Sequence, residues 1–373
     1  MKKTLLFTLD FPPDFGGVAS YYREICGNLL NDRIVVLTLK RKNKKDSEFP
    51  YKIYRRNLIT ALPIWPKSVF SFWHLWRVIR KEKIKTVLVG QILPLGSITL
   101  FLSKVLKFDY GVFIHGLDIL NAQKKIKNKV LAQKVLKKAK FVVANSKFTA
   151  EELKKFGVNS EKITIVYPCP FNKPPAKESV KQELIKKYNL EDKRIILSLG
   201  RLVKRKGFDK TIKVMPKVVQ EEKNTLYIIA GGKGSYEKEI KEIIEGSPVK
   251  ENIILIQNSS NDEVKALLDL CDIFVMPSRQ INEDVEGFGI VFLEANLFNK
   301  PVIGGRSGGV IEAIVHERTG FLVDPINEQE ISEKIIKLLK DKELRRKIGE
   351  EGRRRVEQEF TWNKQVEKIK DLL

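Results

Sequence analysis

Short apolar runs alternate with amphipathic stretches along this 373-residue chain, and this alternation restricts the fold more than any other feature of the sequence. Continuous apolar runs are typical of strands buried on both faces of a parallel sheet, with amphipathic stretches as the crossover helices. The pattern predicts strands at residues 4–9, 34–39, 86–90, 110–115, 141–144, 194–199, 225–230, 252–256 and 273–276. It predicts helices at residues 17–30, 67–81, 95–106, 121–138, 207–222, 236–245 and 263–270.

A proline-rich segment, YPCPFNKPPAKES at residues 167–179, interrupts the alternation. Its four prolines cannot continue a helix or a central strand, so the segment is interpreted as an interdomain linker. We therefore predict an α/β protein of two doubly wound domains, residues 1–170 and 171–359, with a C-terminal helix at 360–373 packing back on the first domain. In such domains ligands bind beyond the carboxyl ends of the strands.

The charge is strongly asymmetric. Residues 1–170 carry 32 basic and 12 acidic side chains, so they hold +20 of the net charge of +23. This excess indicates a polyanionic partner such as a membrane surface, an anionic polymer or nucleic acid, unless it serves solubility alone. We find no recognition-helix motif, no aromatic RNA-binding strand and no zinc finger, which argues against a specific nucleic-acid partner.

Export and membrane insertion are not expected. The N-terminal apolar run before Asp10 is too short for a signal peptide, and the apolar stretch at 92–106 is too short and too interrupted to cross a bilayer. The three cysteines lie far apart, which suits a reducing compartment. We expect a cytoplasmic protein.

Three loops that follow predicted strands carry anion-binding chemistry. Gly16 and Gly17 open a helix whose bare amides attract an anion. In RLVKRKG, Arg201 supplies a planar guanidinium and Lys206 a flexible ammonium, and together these two groups can bind a diphosphate. In each case the alternative is an ordinary glycine turn or a solvated basic loop.

The third loop, at residues 277–298, holds the pattern Glu286-Gly287-Phe288-Gly289 before a helix that contains Glu294. The glycines let backbone amides approach a ligand closely. The eight-residue spacing suggests that Glu286 and Glu294 share one helix face. A carboxylate in the apolar run IVFLEANLF requires a partner, either the hydroxyl groups of a sugar or an arginine.

Together these elements, with IHGLD, ANSKFT and GGRSGGVIEAI, resemble the retaining glycosyltransferases of family 4 in the right order over essentially the whole chain. The resemblance implies the GT-B fold, in which two Rossmann-like domains face each other across a cleft. It also implies a nucleotide-sugar donor, which is a co-substrate and not a cofactor. No D-x-D motif or His/Asp cluster for Mg²⁺ is found, so we expect no metal.

The resemblance also implies roles for individual residues. Arg201 and Lys206 would hold the donor diphosphate and stabilise the departing nucleotide, and Glu294 would bind the ribose hydroxyls. The donor sugar and its phosphate would contact a further set of residues: His115, Glu286, Gly287, Phe288, Gly289, Gly16 and Gly17. Weaker candidates near the cleft are Asp118, Ser307, Gly308 and Gly309. Closure about a hinge at 167–175 would assemble the site.

The loop PSR…DVEGFGIVFLEA is similar to that of mannosyltransferases that use GDP-mannose, including phosphatidylinositol mannoside enzymes. We therefore expect mannose transfer to a lipid-linked or polysaccharide acceptor. The alternatives are a UDP-sugar-dependent transferase of the same family, a non-hydrolysing sugar-nucleotide epimerase, and a polyanion-binding protein. The linker YPCPF departs from the small-residue turn common in relatives.

Two segments of the first half suggest how an acceptor in a membrane is reached. Residues 40–45, KRKNKK, form a basic loop, and the predicted helix at 66–81 combines aromatic residues with cations. The stretch around it holds three of the four tryptophans, Trp65, Trp73 and Trp76. Interfacial membrane helices have this composition, so we expect peripheral docking on the inner face of the plasma membrane. The alternative is a helix packed beside the acceptor cleft.

Overall fold

The computed structural model describes residues 2–14, 16–30, 32–41, 46–59, 69–170 and 176–373. Residues 42–45 of the basic loop, Trp65, residues 66–68 at the start of the predicted aromatic helix and residues 171–175 of the predicted hinge lie outside this set. The chain divides into two compact units, residues 1–168 with 361–373, and residues 169–360. The sequence predicts boundaries between residues 170 and 171 and between residues 359 and 360, within two residues of those in the structure.

In the described part of the first unit, seven strands form one parallel sheet in the order β3-β2-β1-β4-β5-β6-β7. Their bounds are β1 Thr4–Phe7, β2 Ile34–Leu39, β3 Lys52–Arg56, β4 Thr86–Val89, β5 Asp109–Ile114, β6 Phe141–Ala144 and β7 Ile163–Ile165. The crossover helices are α1 Gly17–Gly27, α2 Val69–Glu82, α3 Ser97–Leu106, α4 Leu117–Gln123, α5 Ile126–Lys138 and α6 Lys147–Lys155. The order of the strands reverses between β1 and β4.

The second unit repeats this design. Its described residues form a six-stranded parallel sheet in the order β10-β9-β8-β11-β12-β13. The bounds are β8 Arg194–Arg201, β9 Thr225–Gly232, β10 Ile253–Gln257, β11 Ile273–Met276, β12 Val302–Gly305 and β13 Gly320–Val323. The helices are α7 Glu178–Tyr188, α8 Phe208–Glu221, α9 Glu237–Glu245, α10 Asn261–Leu270, α11 Ile290–Leu297, α12 Val310–Ala313, α13 Glu328–Lys340 and α14 Lys342–Glu359. The order reverses between β8 and β11.

The last helix, α15 (Trp362–Lys370), belongs to the first unit. The Trp362 ring lies edge-on to the Tyr21 ring at 5.4 Å, and the Gln365 side-chain oxygen accepts a hydrogen bond from the Tyr167 amide at 3.0 Å. Phe360 was predicted to start this helix, but it belongs to the second unit because its ring packs against Phe288 at 5.8 Å.

The predicted fold class, two Rossmann-like parallel sheets with helical crossovers, is confirmed, and every predicted strand overlaps an observed one. Four short strands were not predicted: β3, β7, β12 and β13. The sequence of β3, KIYRR, is charged because it is an edge strand, and VIGG in β12 contains two glycines. The predicted helix at 121–138 is two helices, since Lys125 has an extended backbone between α4 and α5.

Candidate active site

The predicted diphosphate-binding residues lie where the second sheet reverses its strand order, the position at which α/β sheets bind ligands. Arg201 ends β8, a short 3₁₀ turn covers Lys204–Lys206, and Gly207 precedes α8. Gly207 has φ +78°, and a Cβ atom there would lie 2.2 Å from the carbonyl oxygen of Pro277, just after β11. Only glycine allows the two loops to approach this closely.

Lys206 is buried and forms an ion pair with Glu286, with Nζ and Oε2 2.7 Å apart. Arg205 is buried beside it, where it also bonds Glu286 and donates from Nε to Asp284 Oδ1 at 2.9 Å. The side chain of Glu286 is only 14% exposed. The loop after β8 and the loop after β11 are therefore joined by two cations and two carboxylates.

Burial opposes the charged form of Glu286, but the neighbouring Lys206 and Arg205 cations outweigh it and lower the pKa of that carboxyl to about 2. For Lys206, burial is the largest effect and lowers the pKa, although the Glu286 carboxylate acts in the opposite direction. The two cations and two carboxylates of this cluster balance each other, and Arg201, whose charge also lowers the pKa of Lys206, is the further cation that would attract an anion placed here.

Arg205 and Arg279 were missed by the sequence analysis. Arg279 is buried, donates from Nη2 to both oxygens of Asp209 at 3.0 and 2.9 Å, and its amide donates to the Arg205 carbonyl at 2.8 Å. Asp209 lies in the first turn of α8, so this pair fixes the start of α8 against the loop after β11. Arg205 stands between two other cations in RLVKRKG, and the sequence offers no signal that singles it out.

The predicted glycine loops meet each other. A Cβ atom at Gly308 would lie 2.4 Å from the Glu286 carbonyl oxygen, and one at Gly309 would lie 2.1 Å from the Gly287 carbonyl oxygen. The Gly309 amide donates to the Glu286 carbonyl at 2.9 Å. Ser307 belongs to the same turn, where its amide donates to the Gly305 carbonyl at 2.8 Å. The 307–309 turn therefore supports the backbone that carries Glu286.

The prediction that Glu286 and Glu294 share a helix face is wrong. Helix α11 begins at Ile290, after Gly289 with φ +90°, so Glu286 lies in the loop before it. Glu294 is half-buried within α11, and Phe288 is buried against Phe360. The eight-residue spacing therefore relates a loop carboxylate to a helix carboxylate, and the amides at the start of α11 lie between them in the sequence.

In the first unit, His115 follows β5 and hydrogen-bonds Tyr22, with Nε2 and the hydroxyl oxygen 2.8 Å apart. The Tyr22 hydroxyl donates its proton to the Gly90 carbonyl at 2.7 Å. His115 must therefore donate from Nε2, which leaves Nδ1 as the acceptor of a neutral imidazole. Burial lowers the pKa of His115 to about 4.

Asp118 lies in the same loop as His115. Its Oδ2 atom accepts from the His115 backbone amide at 2.9 Å, and burial raises its pKa to about 6. Asp10, in the loop after β1, contributes to this rise, and its Oδ2 atom accepts a hydrogen bond from the side-chain amide of Gln91 at 2.7 Å. Tyr22, Asp10 and Gln91 are further polar residues that the sequence analysis missed.

Gly16 and Gly17 start α1 without a side-chain cap. Both are exposed, and a Cβ atom at either position would meet no atom within 4 Å. The start of α1 is thus open to a ligand. Gly16, Gly17, His115 and Asp118 belong to the first unit, and the remaining predicted site residues belong to the second.

The described residues offer neither a metal site nor a membrane span. They contain no group of three His, Cys, Asp or Glu side chains placed to hold a metal ion. None of their helices has the length and apolar character needed to span a bilayer.

Two protein-family models match successive segments of the chain. The model described as Glycosyltransferase Family 4 matches residues 15–169, and the model described as Glycosyl transferases group 1 matches residues 180–355. The chain belongs to the family 4 glycosyltransferases. The resemblance drawn from the motifs is confirmed, and so is the expectation of an enzyme that transfers a glycosyl group.

This glycosyltransferase is 28% identical, over 100% of its length and 98% of the relative's, to the GDP-mannose-dependent alpha-(1-6)-phosphatidylinositol monomannoside mannosyltransferase of Mycobacterium tuberculosis. It is 29% identical, with the same coverage, to the monoacylated phosphatidylinositol monomannoside mannosyltransferase of Corynebacterium glutamicum, which is also named as GDP-mannose-dependent.

Solved structures show the same fold over the whole glycosyltransferase. HepE of Anabaena, crystallised with UDP, superposes with a TM-score of 0.83 at 20% identity and covers 100% of both chains. Sucrose-phosphate synthase of Thermosynechococcus elongatus gives a TM-score of 0.83 at 19% identity, over 100% of this chain and 98% of its own. The GT-B fold is thereby established.

Replacing Glu286 with Gln tests whether this carboxylate neutralises the buried cations of the site. The variant leaves the buried cations Arg205 and Lys206 without their shared carboxylate, so the free energy of unfolding should fall by about 3 kcal/mol. Inorganic pyrophosphate should then raise the melting temperature more in the variant than in the wild type, because the anion replaces the missing charge.

The exposed Glu283, in the same loop, provides the matched control. Glu283→Gln removes the same charge and should leave both the stability and the pyrophosphate response unchanged. Equal stabilities of Glu286→Gln and Glu283→Gln would show that the carboxylate does not neutralise the buried cations.

His115 should remain neutral over the physiological range. With a native pKa of about 4 against about 6.5 in the unfolded chain, the unfolded state binds more protons at intermediate pH. The contribution of His115 to stability is therefore present at high pH and is lost as the pH falls from about 6.5 to about 4.

Nitrogen-15 NMR of histidine-labelled protein measures this directly, because the chain has three histidines. His115 should show the Nε2–H tautomer from pH 8 to pH 5, and Tyr22→Phe should remove this tautomeric preference. A titration midpoint of His115 near pH 6.5 in the wild type would refute the assignment.

Proposed function

We propose that this enzyme transfers mannose from GDP-mannose to a phosphatidylinositol-type glycolipid, with retention of configuration at the anomeric carbon. The full-length similarity to mycobacterial and corynebacterial enzymes named as GDP-mannose-dependent mannosyltransferases carries the proposal. The cation cluster at the reversal point of the second sheet supports a diphosphate-containing donor. A UDP-sugar donor is the alternative that the binding experiment below separates.

Lys206 and Arg201 are proposed to bind the donor diphosphate. Lys206 is held at the start of α8 by its surroundings, and Arg201 is exposed at the end of β8, close enough to influence the pKa of Lys206. An exposed guanidinium can move to meet a phosphate bidentately, whereas the buried ammonium acts as a fixed charge. The amides of Gly287, Phe288 and Gly289 would add hydrogen bonds from the start of α11.

Glu286 is proposed to exchange partners during the reaction. In the free enzyme it neutralises Lys206 and Arg205. When a diphosphate binds, Lys206 gains a new anionic partner, and Glu286 can accept hydrogen bonds from donor sugar hydroxyls while Arg205 still holds it. Glu294 is proposed to accept from the ribose hydroxyls, and His115 to accept from a sugar hydroxyl through Nδ1, with Gly16 and Gly17 presenting the start of α1 to the phosphate.

The chemical step places negative charge on the departing diphosphate. Donors that are already fixed where this charge develops lower the barrier because they need little reorganisation. Lys206, Arg201 and the helix-start amides are proposed to meet this need without a metal ion. No covalent nucleophile is assigned, and a donor phosphate oxygen is proposed to take the proton from the acceptor hydroxyl.

The first unit is proposed to dock on the anionic inner face of the membrane, where a glycolipid acceptor would lie. Its half of the sequence carries the charge excess, and α2 exposes Phe70, Phe72, Trp73 and Trp76 to solvent. Exposed aromatic rings beside cations favour the boundary between lipid headgroups and acyl chains.

A thermal-shift panel in EDTA tests the donor. GDP and GDP-mannose should stabilise the protein selectively over UDP, ADP and their sugar conjugates, because the cation cluster binds a diphosphate and the full-length relatives use GDP-mannose. A preference for UDP-sugars would agree with a glycosyltransferase but would contradict the assignment of GDP-mannose as the donor. Conversion of the nucleotide sugar into its epimer, without net release of nucleotide diphosphate, would favour an epimerase.

Lys206→Ala should reduce kcat/KM by about 10²–10³, the loss typical of removing one fixed donor to a developing anion. Lys204→Ala is the control, since Lys204 is an exposed cation in the same turn and should change the rate no more than a few-fold. Equal activity of the two variants with GDP-mannose would place the diphosphate elsewhere.

A further inference from the structure

The first unit contains a cation-lined cavity whose lining includes none of the proposed donor-binding residues. It has a volume of about 270 Å³ and lies between the edge strand β3 and helix α2. Its lining comprises Tyr54, Arg56, Trp73, His74, Arg77, Val78 and Lys81. The volume is just below the range of about 300–1,000 Å³ in which small-molecule sites fall.

The sequence patterns of the two elements place the cations together. Tyr54 and Arg56 point to the same face of β3 because side chains alternate along a strand. Trp73, Arg77 and Lys81 recur every four residues and share one face of α2. The Arg77 guanidinium lies over the Trp73 ring, 5.1 Å from its centroid, and the Arg56 guanidinium lies 5.7 Å from the Tyr54 ring centroid.

Among the described residues, no acid lines the cavity to balance these cations. In the described part of the chain, neither Arg56, Arg77 nor Lys81 has a carboxylate within ion-pair distance. Glu82, the acid that follows Lys81, is buried and bonded to Lys3 at 2.8 Å and to Lys52 at 2.7 Å. Three permanent cations therefore line one small space, and Glu82, which accepts a hydrogen bond from the Tyr54 hydroxyl at the lining, is already paired with Lys3 and Lys52.

The state of His74 reflects this positive environment. Burial lowers the pKa of His74, and the charges of Arg56 and Arg77 lower it further. An anion in the cavity would relieve the repulsion between these groups, which gives the cavity a preference for anionic ligands.

The surroundings of the cavity identify the source of the anion. Two aromatic residues of α2, Phe72 and Trp76, each precede a residue that lines the cavity, and they are 37% and 40% exposed. On the adjacent helix α3, Phe101 and Val105 are 59% and 61% exposed, and the Phe72 and Phe101 rings contact each other at 5.6 Å. An exposed apolar patch beside an anion site suits a ligand that carries both a charged head and acyl chains.

We propose that this cavity binds the phosphate headgroup of an anionic phospholipid, with Arg56, Arg77 and Lys81 as the phosphate ligands and the α2–α3 aromatic patch against the acyl region. The inference rests on the membrane docking proposed above and gives it a defined site. It requires neither a particular donor nor catalytic turnover.

Titration with dihexanoyl phosphatidylglycerol below its micellar concentration tests the cavity itself. The tryptophan fluorescence should change saturably because Trp73 lines the cavity, and Arg77→Gln/Lys81→Gln should weaken binding about tenfold or more, since each cation near an anionic lipid contributes a several-fold factor. Arg77→Lys should retain most of the binding. The control, Lys137→Gln/Lys138→Gln, removes two exposed cations at the end of α5 and should bind like the wild type.

Two results would overturn the proposal. One is equal binding by the cavity and control variants. The other is binding of glycerol 3-phosphate as tight as that of the lipid, which would identify a soluble phosphate ester as the ligand.

Vesicles containing phosphatidylglycerol separate this inference from the proposed function. If the wild type binds the short-chain lipid but does not bind vesicles, the result contradicts the proposed membrane docking and supports the proposed headgroup site in the cavity. GDP stabilisation should be equal in all variants, so an unsuccessful donor experiment leaves the lipid result unaffected.

Discussion

The structure of the candidate site depends on the burial of Lys206 and Arg205 against Glu286. Two cations removed from water at the end of one strand require a carboxylate, and the loop after a second strand supplies it. Glycine is required at 207, 308 and 309 because a Cβ atom at these positions would collide with the backbone of a neighbouring loop around the cluster. Arg279 and Asp209 join the loop after β11 to the first turn of α8.

In the proposed donor site, the charges are in place before the ligand arrives. A cation kept in water would have to be dehydrated at the moment of reaction, whereas Lys206 is already buried, with Glu286 offsetting part of that cost. The residues of the first unit that are proposed to bind ligand are of a different kind. Its neutral imidazole at His115 and the open helix start at Gly16 and Gly17 can bind hydroxyl and phosphate groups without bringing further net charge.

Most of the fold could be predicted from the sequence because buried parallel strands are continuous apolar runs, as in IVVLTL of β2. The short edge strand β3 could not, since its outward cations hide the pattern. The positions of Lys206, Glu286 and the glycine turns followed from motifs. The role of Arg205 and the bond between His115 and Tyr22 did not, because they depend on contacts between residues distant in sequence. The shared helix face of Glu286 and Glu294 failed because spacing alone does not show where a helix begins.

A crystal structure of the enzyme with GDP would test the central claim most directly. The account predicts the β-phosphate within hydrogen-bond distance of Lys206 Nζ and the Arg201 guanidinium, next to the amides at the start of α11, with Glu286 still bonded to Arg205. A diphosphate bound away from the reversal point of the second sheet, with the Lys206–Glu286 pair unchanged, would contradict it.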